Sequence, residues 1–142
     1  MRVLWFSVTP SLYDEKKYGG WIASLERIVN KYGNNIELAI AFEYQEDKLK
    51  VEKNGVVYYP INISNTVKDR LIEKVDFTYR WNRLKIKMLN VIEDFMPDVI
   101  QCFGSEWPYG LIAECTNIPV VIHMQGFSNI YSESCELVYS DW

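Results

Sequence analysis

Two glycines and two strand-end loops carry the groups best suited to chemistry in this sequence. Gly19 and Gly20 stand directly before a run in which Trp21, Ile22, Leu25, Ile28, Val29 and Tyr32 recur at helical spacing. Backbone N–H groups at such a helix start have no Cβ in the way, and the positive end of the helix dipole favours an anion such as phosphate. The pair is neither GxGxxG nor a P-loop, because no GK[ST] follows, and the same glycines would equally ease a turn. Farther along, Gly104-Ser105-Glu106 and Gln125-Gly126-Phe127 follow the apolar runs Val99–Phe103 and Val120–Met124. With the amphipathic segment between them, these runs predict a βαβ unit over Pro97–Phe127. Its right-handed crossover would bring both loops out side by side at the carboxyl edge of a parallel sheet, where open α/β sheets bind ligands.

The elements that must position these groups follow in order. Arg2–Val8 is continuously apolar, as in a central strand buried on both faces, and the long polar loop Thr9–Gly20 leads from it into the first helix. That loop is a candidate site, and a plain surface excursion is the competing reading. Gly33 is expected to stop the helix in the left-handed region. Ile36–Phe42 gives a second strand; Lys48–Lys53, the Asn54-Gly55 turn and Val56–Ile61 form a hairpin that delivers a third, placed at an edge by Pro60. Residues from Thr66 to about Phe95 predict two helices with a break near Phe77-Thr78, the second burying Trp81, Leu84, Met88, Val91, Ile92 and Phe95, with Pro97 as its stop. The tail after Phe127 has a weak helical period and no closing strand. The expected fold class is therefore α/β, a Rossmann-like open parallel sheet with helices on both faces, in one domain over residues 1–142.

Composition narrows the function. The chain of 142 residues is 49% hydrophobic and 24% charged, which excludes general disorder, and its net charge of −4 argues against a nucleic-acid binder that relies on bulk charge. From Lys68 to Lys87, seven Lys and Arg stand against Asp69, Glu73 and Asp76, a local +4, so the remainder of the net −4 chain carries −8. This basic helix could meet an anionic membrane surface or a polyanionic partner, although a solvated face is the commoner meaning of such a run. Cys102, Cys115 and Cys135 form no CxxC pair, and one histidine leaves no zinc-ligand set, so reduced cysteines, no metal and a cytoplasmic location are expected, with membrane association through the basic helix as an addition. The apolar run Val3–Val8 is too short for a signal-peptide core, and no run reaches the length of a membrane span.

The order of elements, MRVLWFS with a Gly19-Gly20 helix start, Pro97-Asp98-Val99-Ile100 leading into Gly104-Ser105-Glu106, and Pro119-Val120-Val121 leading into Gln125-Gly126, resembles the N-terminal, acceptor-side domain of family 4 retaining glycosyltransferases of GT-B fold. The resemblance implies that Gly19 and Gly20 offer N–H groups to the diphosphate of a nucleotide-sugar, and that Ser105, Glu106, Gln125 and Gly126 line the cleft. It implies a nucleotide-sugar and a glycan or lipid-linked acceptor as partners, with no separate cofactor. Many members carry His where this chain has Gln125; Gln holds a sugar hydroxyl but cannot shuttle protons. His123, the lone histidine, is either a structural residue or a ligand contact, and Glu106 either a base or a helix cap.

In the resembled family the second domain supplies most nucleotide-sugar contacts, so the chain reads as a domain fragment without the nucleotide-sugar domain, inactive alone, and no catalytic residue is assigned. The expected role is sugar transfer in bacterial surface polysaccharide synthesis. The competing readings are a non-catalytic α/β interaction domain using the basic 68–87 helix, and half of a nucleotide-sugar epimerase.

Overall fold

In the computed structural model, described over residues 1–14, 20–45, 50–63, 66–76, 78–104 and 107–124, β1 (Arg2–Ser7) is the strand around which the sheet is built. It pairs in parallel with β2 (Glu37–Glu43) on one side and with β5 (Val99–Phe103) on the other. Beyond β2 lies β4 (Val56–Ile61), with β3 (Val51–Lys53) antiparallel outside it; beyond β5 lies β6 (Val120–His123), giving the order β3-β4-β2-β1-β5-β6. The α/β Rossmann-like class expected from the sequence is what the chain adopts. Five parallel strands read as apolar runs because crossovers cover their faces.

Alternation along the strands feeds two cores. On one face Val3, Trp5, Leu38, Ile40, Phe42, Tyr58 and Phe103 pack against Ile22 of α1 (Gly20–Tyr32). On the other, Leu4, Phe6, Ala39, Ala41, Ile100 and Cys102 pack against Leu84, Met88, Val91, Ile92 and Phe95 of α3 (Tyr79–Phe95). Leu84 and Met88 are fully buried, so truncating either to Ala costs about 2–5 kcal/mol in transfer and cavity terms. Between β4 and α3 runs α2 (Val67–Glu73), opened by a Thr66–Asp69 capping box, and the expected break near residues 77 and 78 separates the two helices. Helix α3 stops at Met96, left-handed at φ 49°, just before Pro97. The Asn54-Gly55 turn has φ of 55° and 78°, the paired positive angles of a type I′ hairpin.

Several expectations need correction. Gly33 does not end α1 by a left-handed turn; a Cβ there would lie 2.5 Å from the Val29 carbonyl oxygen, so glycine is required by close approach. The buried stripe of α1 is Ile22, Ala23 and Glu26, while Trp21, Ile28 and Tyr32 are exposed. The β5–β6 crossover is a seven-residue 3-10 helix, Pro108–Glu114, not an α-helix. Strand β6 is not a buried run: Val121 and Ile122 are about half exposed, at 52% and 45%. Pro60 lies in an interior strand, but pairing with β3 ends at Tyr58, so the missing N–H falls where β4 has lost its outer neighbour.

Candidate functional site

The crossover through α1 carries the chain from β1 to β2 on one face, and the crossover through α3 carries it to β5 on the other. The sheet therefore reverses its winding between β1 and β5, and the crevice outside their carboxyl ends is where a doubly wound sheet takes a ligand. Ser7 closes the end of β1: its hydroxyl donates to the Thr9 carbonyl at 2.9 Å and accepts from the Thr9 N–H at 3.1 Å. Gly104, at φ 89°, turns the chain out of β5 while its N–H donates to the His123 carbonyl at 2.9 Å. The left-handed φ explains glycine at that position.

Of the seven residues singled out from sequence, Gly20 and His123 can be placed. Gly19, Ser105, Glu106, Gln125 and Gly126 lie outside the described residues. The two that are placed come together on the α1 face of the edge. Gly20 opens α1 with φ 56°, and among the described residues, its chain neighbours aside, no atom lies within 4 Å of the position a Cβ would take. The next residue, Trp21, packs its ring 4.9 Å from that of His123 at the end of β6. Phe103 touches both, with ring centres 5.3 Å from Trp21 and 5.7 Å from His123. The imidazole is thus shelved on two aromatic rings and remains exposed.

A second group at the same edge, on the α3 face, was not singled out from sequence. Glu43 ends β2, and its carboxylate accepts from the Arg80 guanidinium at 2.8 Å in the first turn of α3. The Tyr109 hydroxyl donates a long bond to the same carboxylate at 3.5 Å. The Tyr109 ring stacks with Phe6 of β1 and with Trp107, which is 39% exposed. Burial, reinforced by the Glu43 charge, pushes the Tyr109 hydroxyl above its ordinary value, so it stays a neutral donor. The exposed indole and the Glu43–Arg80 pair are linked through Tyr109, and between them they supply an apolar plane, an acceptor and a forked donor. The sequence held a usable signal, Trp107-Pro108-Tyr109 directly after a strand-end glycine, but nothing in it linked that triplet to Glu43 and Arg80.

Beneath the edge, Glu26 fixes the loop that leaves β1. Its fully buried carboxylate accepts from the Ser11 hydroxyl, from the Leu12 N–H at 3.1 Å and from the Tyr58 hydroxyl. Ser11 sits at φ 50°, uncommon for a residue with a side chain, and these bonds hold it there. Tyr13 then packs on Phe42, Tyr44 and Tyr58.

Other sequence motifs are structural. The Asp98 carboxylate accepts from the Arg2 N–H at 2.7 Å and the Asp98 N–H donates to the Arg2 carbonyl at 2.8 Å, which pins β5 beside β1 at the edge away from the crevice. Cys102 is buried and its thiol donates to the Tyr109 carbonyl at 3.4 Å; burial pushes it up to about 12, so it is inert as a thiolate. Cys115 is a free, exposed thiol, and Cys135 lies outside the described residues. Among the described residues no cluster of His, Cys, Asp or Glu could hold a metal ion, and no helix is long and apolar enough to cross a membrane. No protein-family model matches this sequence, and no curated protein matches it.

Proposed function

We propose that this chain is the acceptor-side domain of a glycosyltransferase that moves a sugar from a nucleotide-sugar to a glycan or lipid-linked acceptor. The observation that carries the reading is the glycine helix start at Gly20 set against the exposed His123 and Trp21, beside the winding reversal of the sheet. The N–H groups at that helix start suit a phosphate, and the neighbouring rings suit a base or sugar face. On the other half of the edge, Trp107, Glu43 and Arg80 suit a pyranose, whose C–H face stacks on indole and whose hydroxyls both give and take hydrogen bonds. The chain's part is to hold and orient, excluding water from one wall; no group here is assigned a covalent or proton-transfer step.

The test is titration of the protein with uridine and guanosine diphosphate sugars, followed by NMR at the Gly20 amide, the Trp21 indole and the His123 ring. Concerted, saturable shifts at these three positions are expected, along with no sugar transfer by the chain alone. Shifts confined to other parts of the molecule, or none up to millimolar ligand, would overturn the assignment.

A further inference from the structure

The local +4 of residues 68–87 does not lie where its helical pattern suggests. On α3, Arg80 is held by Glu43 at 2.8 Å, and Arg83 by Asp69 at 3.4 Å with its guanidinium over the Tyr79 ring. Helix α2 is different. Val67, Leu71 and Val75 are 76%, 61% and 83% exposed, an unusual outlay of large apolar side chains on one short element. They recur every four residues and so form a single stripe; the bonds from the Val75 and Asp76 N–H groups to the Ile72 carbonyl carry the helical path past Glu73 to its last member.

At 3.6 residues per turn, exposed Lys68 falls on one flank of that stripe and exposed Lys74 on the other, while Asp69, Glu73 and Asp76 fall on the opposite side. Of these acids Asp69 is committed inward, while Asp76 is exposed. Asp69 accepts from the Thr66 N–H and hydroxyl at 2.8 and 2.7 Å and from the Tyr79 hydroxyl at 2.9 Å, and it pairs with Arg83. These bonds clamp α2 onto the start of α3 and leave the apolar stripe facing out.

We propose that α2 is an interfacial helix that docks this protein on an anionic lipid surface. An apolar stripe edged by two lysines, with the acids turned away, is the arrangement that lets a helix lie in the headgroup layer: the apolar side chains enter the acyl boundary while the ammonium groups meet phosphate. Lipid is favoured by one face alone: over residues 67–76 three bases balance three acids, but exposed Lys68 and Lys74 edge the apolar stripe while the acids fall on the opposite side of the helix. A single short helix without a lipid anchor makes the attachment reversible and sensitive to salt. Because α2 follows the carboxyl end of β4, docking would set the lipid surface at the same edge as the crevice.

The test is co-sedimentation of the full chain with phosphatidylcholine vesicles, plain or containing about one-third phosphatidylglycerol, a readout that needs no sugar and so is independent of the proposed transferase role. Binding is expected with the anionic vesicles alone, weakened by added salt. Leu71→Asp and Val75→Asp are each expected to reduce the bound fraction roughly tenfold or more, and Lys68→Glu with Lys74→Glu to do the same, while Lys85→Glu on α3 changes little. The milder Leu71→Ser, with circular dichroism as the folding control, serves if an aspartate variant does not fold. Any of these results would overturn the proposal: no binding to anionic vesicles, equal binding to neutral ones, loss of binding only with Lys85→Glu, or a concentration-dependent dimer that Leu71→Asp dissolves without lipid.

Discussion

Two glutamates near the carboxyl edge of the sheet show how differently one side chain is used. Glu26 is fully buried and bound to neutral donors, the Ser11 and Tyr58 hydroxyls and the Leu12 N–H. Glu43 keeps a partly exposed carboxylate against Arg80, with Tyr109 behind it. A buried acceptor that satisfies three donors is costly to remove, since each donor left behind keeps its desolvation penalty. A half-exposed ion pair contributes little to stability and can exchange partners with a ligand. The first glutamate therefore holds the loop in shape, and the second is free in energetic terms to serve the edge.

That contrast can be broken by measurement. Glu26→Ala is expected to cost about 3–5 kcal/mol, read as a fall in the urea midpoint, because two buried hydroxyls and a half-buried N–H lose their acceptor. A loss below about 1 kcal/mol would mean that Glu26 is no anchor. Tyr58→Phe keeps the ring and removes one donor, and about 1.5–3 kcal/mol is expected for a bond to a charged acceptor. Glu43→Ala and Arg80→Ala should each shift stability by no more than about 1 kcal/mol, while weakening any glycan bound at Trp107. A larger loss at Glu43 would erase the distinction drawn between the two carboxylates.

The smallest effect concerns Asp69, whose bonds from Thr66, followed by that from Tyr79, pull its carboxyl down from 3.8 to about 2. A depressed folded value adds stability above the unfolded value that is lost as pH falls through the folded one, so the loss should run from about pH 4 to pH 2. Asp69→Asn should flatten that part of the urea-midpoint profile, and an unchanged slope would assign the acid sensitivity elsewhere.

The frame was legible because it rests on local pattern. Strands β1, β2, β4 and β5 are runs of β-branched and aromatic residues; the hairpin has its Asn-Gly turn, and the helical break falls beside Thr78. What escaped depends on contacts far apart in sequence. The α1 stripe was centred on its apolar residues, because no periodicity reveals that a glutamate will find Ser11 and Tyr58 across the fold. The 3-10 crossover escaped because its composition suits an α-helix equally well, and the exposure of β6 because an apolar run does not say how much of it will be covered. Gly20 and His123, the two placed residues of those singled out, mark a helix start and a strand end, both readable in the sequence. The Glu43, Arg80, Tyr109 and Trp107 group joins β2, α3 and the β5–β6 crossover, so only the folded chain could assemble it.

The central position of β1 also has a kinetic consequence. Its pairing with β2 joins Val3 to Leu38, but its pairing with β5 joins Val3 to Val99, across most of the chain. The first contact closes a short loop and the second a long one, whose entropy must be lost before any of its contacts form. On a ribosome making the chain from its N-terminus, β1, α1 and β2 can assemble while the far side of β1 still has no neighbour. Until β5 emerges, the growing chain carries an unpaired apolar edge, which makes this interval the one in which a chaperone would matter most.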